Sequence, residues 1–453
     1  MARLTVRLVL AIASLLTILA LLNTYSGRQV RGEWPLVGKA DFSASATEIP
    51  PRPSAAIVIL CRNSDINGIL PSLDDLELTF NAHPLTSYTY VFLNNHDFNV
   101  HFREKITAYL TTARARFGGP SASQPDIRFG QIPPEHWDVP GNINLEKMKT
   151  GWSDLIKANI PYAASLSYRQ MCRFQSGFFF RHPLLQDFKY YWRVEPDVKF
   201  SCNIVPSQGA APTSWDAKAD GMGDFFDPFR WMAANKKKYA WVLSLTEYPA
   251  TIRDLWLHSL RFFKANTQYQ SPGLTALDFV ASRNRVGLSY NHCHFWTNFE
   301  IADLDWYRSE GYIKFFEELD RTGKFFKWRW GDAPVHSIAA AWLLSKDEIH
   351  QFTNIGYTHD PFTACPRGEQ YLSRCKCDPQ TDFKYDSGSM SCQRQWDLVA
   401  GTDSKAKILE INNEMGFPGL AGFAVLQIPG RQPVTETEAK AEQATQAAGK
   451  MAV

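Results

Sequence analysis

Two carboxylates close an aromatic strand in the segment YYWRVEPDVKF, residues 190–200, where Glu195 and Asp197 flank Pro196. In open α/β sheets ligands bind beyond the carboxyl ends of strands, which is where these acids would fall. Carboxylates there suit a hard divalent cation, and a departing diphosphate needs one because charge grows on it as its bond breaks. Taken alone, Glu-Pro-Asp is also a common surface turn. A literal Asp-x-Asp occurs at Asp303 and Asp305 in NFEIADLDWYRS. Its position fits the start of a helix, where acids favour the positive end of the dipole. His292, Cys293 and His294 are metal-ligand types, but their setting reads as structural.

The elements that would position these residues alternate between strand and helix. The run at 55–60 suits a buried parallel strand, and YTYVFLNN at 88–95 a second, with a polar segment of helical spacing between them. Helix-like stretches follow at 101–116 and 161–186, and strand-like ones at 187–194 and 239–248. Residues 301–320 and 333–350 carry apolar side chains at helical spacing. The β–α–β opening predicts an α/β fold with a parallel sheet and helices on its faces. Residues 206–226 (PSQGAAPTSWDAKADGMGDFF) read as a surface loop and a candidate insertion.

With 453 residues, 45% of them hydrophobic and 13% aromatic, the chain can bury a large core. A formal net charge of +2 with interspersed signs gives no electrostatic footprint for nucleic acid. Arg3 and Arg7 precede an uncharged stretch from Leu8 to Leu22. That stretch reads as a signal-anchor over 8–27 with residues 1–7 cytoplasmic, a cleaved signal peptide being the competing reading. Either reading sends the remainder into the secretory lumen. There the eight cysteines, four of them within residues 365–392, fit disulfides better than a zinc knot. Residues 28–54 read as a stem, 55–430 as one catalytic domain and 431–453 as a loose polar tail.

Three long segments carry a resemblance: SYRQMCRFQSGFFFRHPLLQDFKYYWRVEPDVKF (167–200), CHFWTNFEIADLDWYRSEGYIKFFEELDRTGKFFKWRWGDAPVHSIAAAWLL (293–344) and IGYTHDPFTACP (355–366). In these the chain resembles the fungal α-1,2-mannosyltransferases of the Kre2/Mnt type, glycosyltransferase family 15. The resemblance implies an α/β GT-A-type nucleotide-sugar transferase domain, its mixed, mostly parallel central sheet flanked by helices, on a single-pass type II Golgi membrane protein with a lumenal catalytic domain. The implied reaction is manganese-dependent transfer from GDP-mannose to the 2-hydroxyl of a mannose-terminated glycan, with retention at the anomeric carbon.

Residue by residue, the resemblance makes Glu195 and His359 the metal ligands, with Asp197 reaching the cation or the ribose. Glu300 matches a carboxylate on the β face of the sugar, either a nucleophile or a stabiliser of positive charge on the ring. Tyr168 falls near both sugars. Asp332, in RWGDAPVHS, is expected to bind acceptor hydroxyls or take a proton, although an acid opening a helix also serves as a cap. Arg62, just after the first strand, and Arg173 are candidates for holding ribose or diphosphate; Arg173 could instead pair with an acid. The rival readings are the same fold with another linkage or mannosylphosphate transfer, and an inactive glycan-binding scaffold.

Overall fold

In chain order the first strands are Ala55–Leu60 (β1), Thr89–Asn94 (β2), Ile127–Gln131 (β3), Tyr190–Val194 (β4), Lys199–Phe200 (β5), Tyr239–Trp241 (β6) and Ser244–Thr246 (β7). They are followed by Ala281–Asn284 (β8), Gly287–Tyr290 (β9), Cys293–Phe295 (β10), Glu300–Asp303 (β11), Ile349–Gln351 (β12), Tyr357–His359 (β13) and Phe362–Ala364 (β14). The structure, a computed structural model, describes residues 48–119, 122–205, 212, 214–284, 287–385 and 390–401. The expected anchor, most of the stem and the tail lie outside those residues. Among the described residues no helix is long and apolar enough to cross a membrane.

Seven strands form the central sheet in the order β12-β6-β11-β4-β1-β2-β3. All its pairings are parallel except those of β11, which runs antiparallel to both β4 and β6. Side chains alternate across the sheet. Ala56, Val58 and Tyr191 face a core shared with the helices Leu166–Gly177, Glu310–Asp320 and Asp332–Leu343. Ile57, Ile59 and Trp192 face a second core covered by Ile66–Leu76 and Val100–Gly118. Both faces are dry, so β1 reads as an unbroken apolar run.

Local chemistry sets the helix ends. Asn99 caps Val100–Gly118 by accepting from the Phe102 amide at 2.8 Å, and Gly119 ends it with φ 70°. Ser165 caps Leu166–Gly177 by accepting from the Tyr168 amide at 3.1 Å, which fixes where Tyr168 begins the helix.

Three expectations change. The segment 239–248 is two short strands in different sheets, because β7 leaves the central sheet to pair with β10. Residues 239–243 are buried on every side, so the apolar run carries no mark of the break. The helical segment 301–320 begins as strand β11, whose backbone is claimed by neighbours on both sides. The segment 333–350 ends in β12 after its helix stops at Leu343. Asp303 does open a helix, its side chain accepting from the Asp305 amide at 2.9 Å.

A small second sheet, β14-β13-β5, stands beyond the end of β4. Disulfides Cys202–Cys375 and Cys365–Cys377 fasten it, while Cys293–Cys392 ties β10 to the helix Gln393–Ala400. Cys61 and Cys172 are buried thiols. Because Cys293 is bonded to Cys392, the His292–His294 cluster offers no thiolate to a metal.

Candidate active site

β4 carries one charged residue inside a fully buried strand, Arg193, and the chain leaves that strand directly into Glu195. The Arg193 Nε and Nη2 both donate to Glu195 Oε1, at 3.0 and 2.5 Å, and Nη1 donates to Asp332 Oδ2 at 2.5 Å. The Thr297 hydroxyl donates to the same Asp332 oxygen at 2.6 Å. Burial alone would raise the Asp332 carboxyl, but Arg193, His336 and the Thr297 hydroxyl together hold it below the usual carboxylate range. Glu195 Oε2 is left facing His359 Nε2 at 3.8 Å.

His359 reaches that position through backbone pairing. It ends β13, and β13 pairs antiparallel with β5, the strand that follows Glu-Pro-Asp. A carboxylate oxygen and an imidazole nitrogen are a donor set acceptable to manganese. Their separation lets one cation sit about 2.1 Å from each. Among the described residues the only cluster of three possible ligand atoms is Cys202, Cys375 and Cys377, and all three sulfurs are in disulfides. Glu195 and His359 offer two donor atoms that face each other, and the residues present fit a nucleotide-bound cation.

A cleft of about 780 Å³ opens beside Glu195, walled by the turn after β1, the end of β2 and the start of the helix at Leu166. Arg62 lines it with its side chain 71% exposed, its Nε donating to Asp65 at 3.3 Å. Asp197 lines it with a left-handed backbone, φ 64°, and its amide donates to the Gly68 carbonyl at 3.0 Å. A Cβ on Gly68 would stand 2.6 Å from the Asp197 carboxylate, so only glycine allows this approach. Tyr168 lies against Tyr162 with parallel rings 4.5 Å apart, and burial pushes its hydroxyl well above the usual tyrosine range. It is a neutral hydroxyl at the cleft wall.

Glu300 is fully buried beside Arg193 on β11. Its Oε1 accepts from the Tyr191 hydroxyl and, at 3.4 Å, from Tyr307; its Oε2 accepts from Tyr239 at 2.8 Å and lies 3.0 Å from His336 Nδ1. A carboxylate offers about four lone-pair directions, and each is faced here. Burial, together with the Glu300 charge, pushes all three tyrosines well above their ordinary range, so they stay protonated and donate. Held this way, Glu300 is an enclosed, hydrogen-bonded carboxylate inside the core.

One expected assignment is corrected. Arg173 does not reach the cleft: it makes a forked pair with Asp320 at 2.7 and 2.9 Å and stacks on Phe178, so it braces two helices. Asp332 is buried in an ion pair with Arg193, which favours its charged form. The sequence reading missed Arg193, Thr297, the three tyrosines and His336. Only Arg193 left a signal, a lone charge in a strand that must be buried.

The sequence profile described as glycolipid 2-alpha-mannosyltransferase matches residues 38–206 and 222–400. The chain belongs to this family. The mannosyltransferase-family chain is 42% identical over 338 residues to the O-glycoside alpha-1,2-mannosyltransferase omh1 of Schizosaccharomyces pombe, covering 75% of this chain and 77% of that one. It is 41% identical over 354 residues to the alpha-1,2 mannosyltransferase KTR1 of Saccharomyces cerevisiae, covering 77% and 80%. Among solved structures it is similar to Ktr4p of S. cerevisiae in complex with GDP, with TM-score 0.66, 33% identity and coverage of 80% and 87%. It is also similar to the Mn/GDP form of core-mannan synthase A of Aspergillus fumigatus, with TM-score 0.64, 32% identity and coverage of 78% and 88%. The α/β glycosyltransferase fold with a mixed, mostly parallel sheet is thereby shown. The gap between the two matched stretches of this family member, 207–221, falls inside the loop expected to be an insertion.

Proposed function

We propose that the chain is a retaining α-1,2-mannosyltransferase that moves mannose from GDP-mannose to the 2-hydroxyl of a terminal mannose on a glycoprotein or cell-wall glycan. The observation that carries this is the convergence of Glu195 and His359 at the mouth of a cleft formed by strand ends. Glu195 and His359 would hold manganese, which when bound neutralises charge on the departing diphosphate. Arg62, exposed at the cleft and held there by Asp65, pairs with diphosphate or ribose, and Asp197 binds the ribose or the cation side of the nucleotide.

The acceptor 2-hydroxyl attacks the anomeric carbon from the face that the diphosphate leaves, and its proton passes to a phosphate oxygen of the leaving group. Glu300 stays in its tyrosine cage and stabilises positive charge on the sugar ring through the field it sets up. Tyr168, neutral throughout, donates to the reacting sugars and excludes water. Residues 55–430 form the catalytic domain, carried on a stem of 28–54 and an anchor of 8–27 in the Golgi membrane.

The test is GDP release from GDP-mannose with α-mannobiose as acceptor, with manganese or with chelator, followed by linkage analysis. Manganese-dependent release with an α-1,2-linked product supports the assignment. Another linkage, or turnover with a different GDP-sugar only, overturns it.

A further inference from the structure

His359 Nδ1 is buried and has no hydrogen-bond partner. Metal-binding imidazoles ordinarily donate their second N–H to a carboxylate, a carbonyl or water, and that bond fixes the ring. Here the neighbour is aromatic. The Trp296 ring meets the His359 ring edge-on, centroids 5.1 Å apart and planes at 75°. Trp296 packs on Phe362 at 5.5 Å, and Phe362 packs on Phe383 at 4.0 Å. Phe362 is also the strand partner of His359 across the β13–β14 hairpin.

The Trp296 backbone is itself fixed, its amide donating to the Leu243 carbonyl at 2.8 Å one residue beyond β10. The chain then runs through Thr297, which binds Asp332, to Glu300. One short segment thus braces the Arg193 clamp on one side and the His359 ring on the other.

We propose that Trp296 is a positioning residue for the cation site: its ring holds the His359 imidazole with Nε2 turned to Glu195, in place of the missing hydrogen bond. This rests on the reading of Glu195 and His359 as cation ligands. The restraint is packing, not polarity, because contacts between N–H groups and aromatic faces are second-order in strength. A phenyl ring therefore substitutes for the indole, and a branched aliphatic side chain does not.

The experiment measures manganese binding by electron paramagnetic resonance of free Mn²⁺, using the full chain with saturating GDP and no donor sugar. It compares wild type, Trp296→Phe, Trp296→Leu, His359→Ala and the double variant Trp296→Leu/His359→Ala. The expected result is about 10–100-fold weaker binding for Trp296→Leu, the range for lost outer-shell support. Trp296→Phe stays within about threefold, and Trp296→Leu adds no further loss once His359 is gone. Wild-type affinity in Trp296→Leu overturns the proposal. So does an equal further loss in the His359→Ala background, which marks general damage to the fold. If the wild-type chain binds no Mn²⁺ with GDP, the assignment of Glu195 and His359 itself fails.

Discussion

Arg193 and Glu195, two positions apart at the end of one strand, are joined by two hydrogen bonds to a single carboxylate oxygen, so the second oxygen is aimed at His359. The buried Arg193 guanidinium, which also holds Asp332, fixes the direction of a carboxylate that would otherwise swing in a solvent-facing turn.

Replacing Arg193 therefore tests aim and stability together. Arg193→Gln leaves Asp332 buried without its partner, a loss on the order of 3–5 kcal/mol. Arg193→Lys keeps the charge but not the fork that spans two carboxylates. Denaturant melts should show both variants destabilised, and manganese titration should show Arg193→Lys weakened by at least about tenfold. Unchanged affinity in Arg193→Lys means the clamp does not direct Glu195.

With its lone pairs faced by Tyr191, Tyr239, Tyr307 and His336, Glu300 should form no covalent link to the sugar. Glu300→Ala is expected to lose at least about a hundredfold in turnover, as removal of a fixed charge near a developing charge does. Added azide should not restore it, and no β-mannosyl azide should form. Detection of that product would return Glu300 to the role of nucleophile.

The disulfides separate into two groups. Cys202–Cys375 and Cys365–Cys377 fasten the sheet that delivers His359, whereas Cys293–Cys392 fastens β10. Removing any native bridge costs about 2–5 kcal/mol. Manganese affinity, measured where each variant is still folded, should fall for Cys202→Ser/Cys375→Ser and hold for Cys293→Ser/Cys392→Ser. The opposite pattern would disconnect the small sheet from the cation site.

Acid should destabilise the fold before its carboxylates titrate. The His350 ring packs against Trp231 at 4.1 Å, and burial, with Lys237 nearby, holds its pKa down to about 3. The folded state keeps this imidazole neutral while the unfolded chain takes a proton near pH 6.5. Its contribution is complete above that pH and is lost as pH falls from about 6.5 toward 3. Calorimetry between about pH 7.5 and 5 should show a shallower drop in Tm for His350→Phe than for wild type. Parallel slopes would place the acid sensitivity elsewhere, for example at buried His294, whose pKa is also lowered by burial.

What was legible in the sequence was whatever is written locally. An apolar run ending in Glu-Pro-Asp announces a strand end with acids, and the β–α–β opening announces a parallel sheet. What was not legible depends on meetings across the chain. Tyr191 and Tyr239 reach Glu300 from 109 and 61 positions away, and nothing in a core tyrosine's neighbours marks its hydroxyl as a donor. Arg173 meets Asp320 across 147 positions, so its bland partner was invisible beside its position in a matching segment. β11 was hidden because four strand residues precede a helix whose periodicity dominates the window.

Cys202 waits for a partner 173 residues later, and β5 waits for β13. In chain order the elements from β1 to β4 that wall the cleft all come well before His359. The strand that bears His359 is therefore fastened by bonds that close only once the chain through Cys377 is present. A chain whose bridges are unformed carries the cleft without the covalent fastening of that strand.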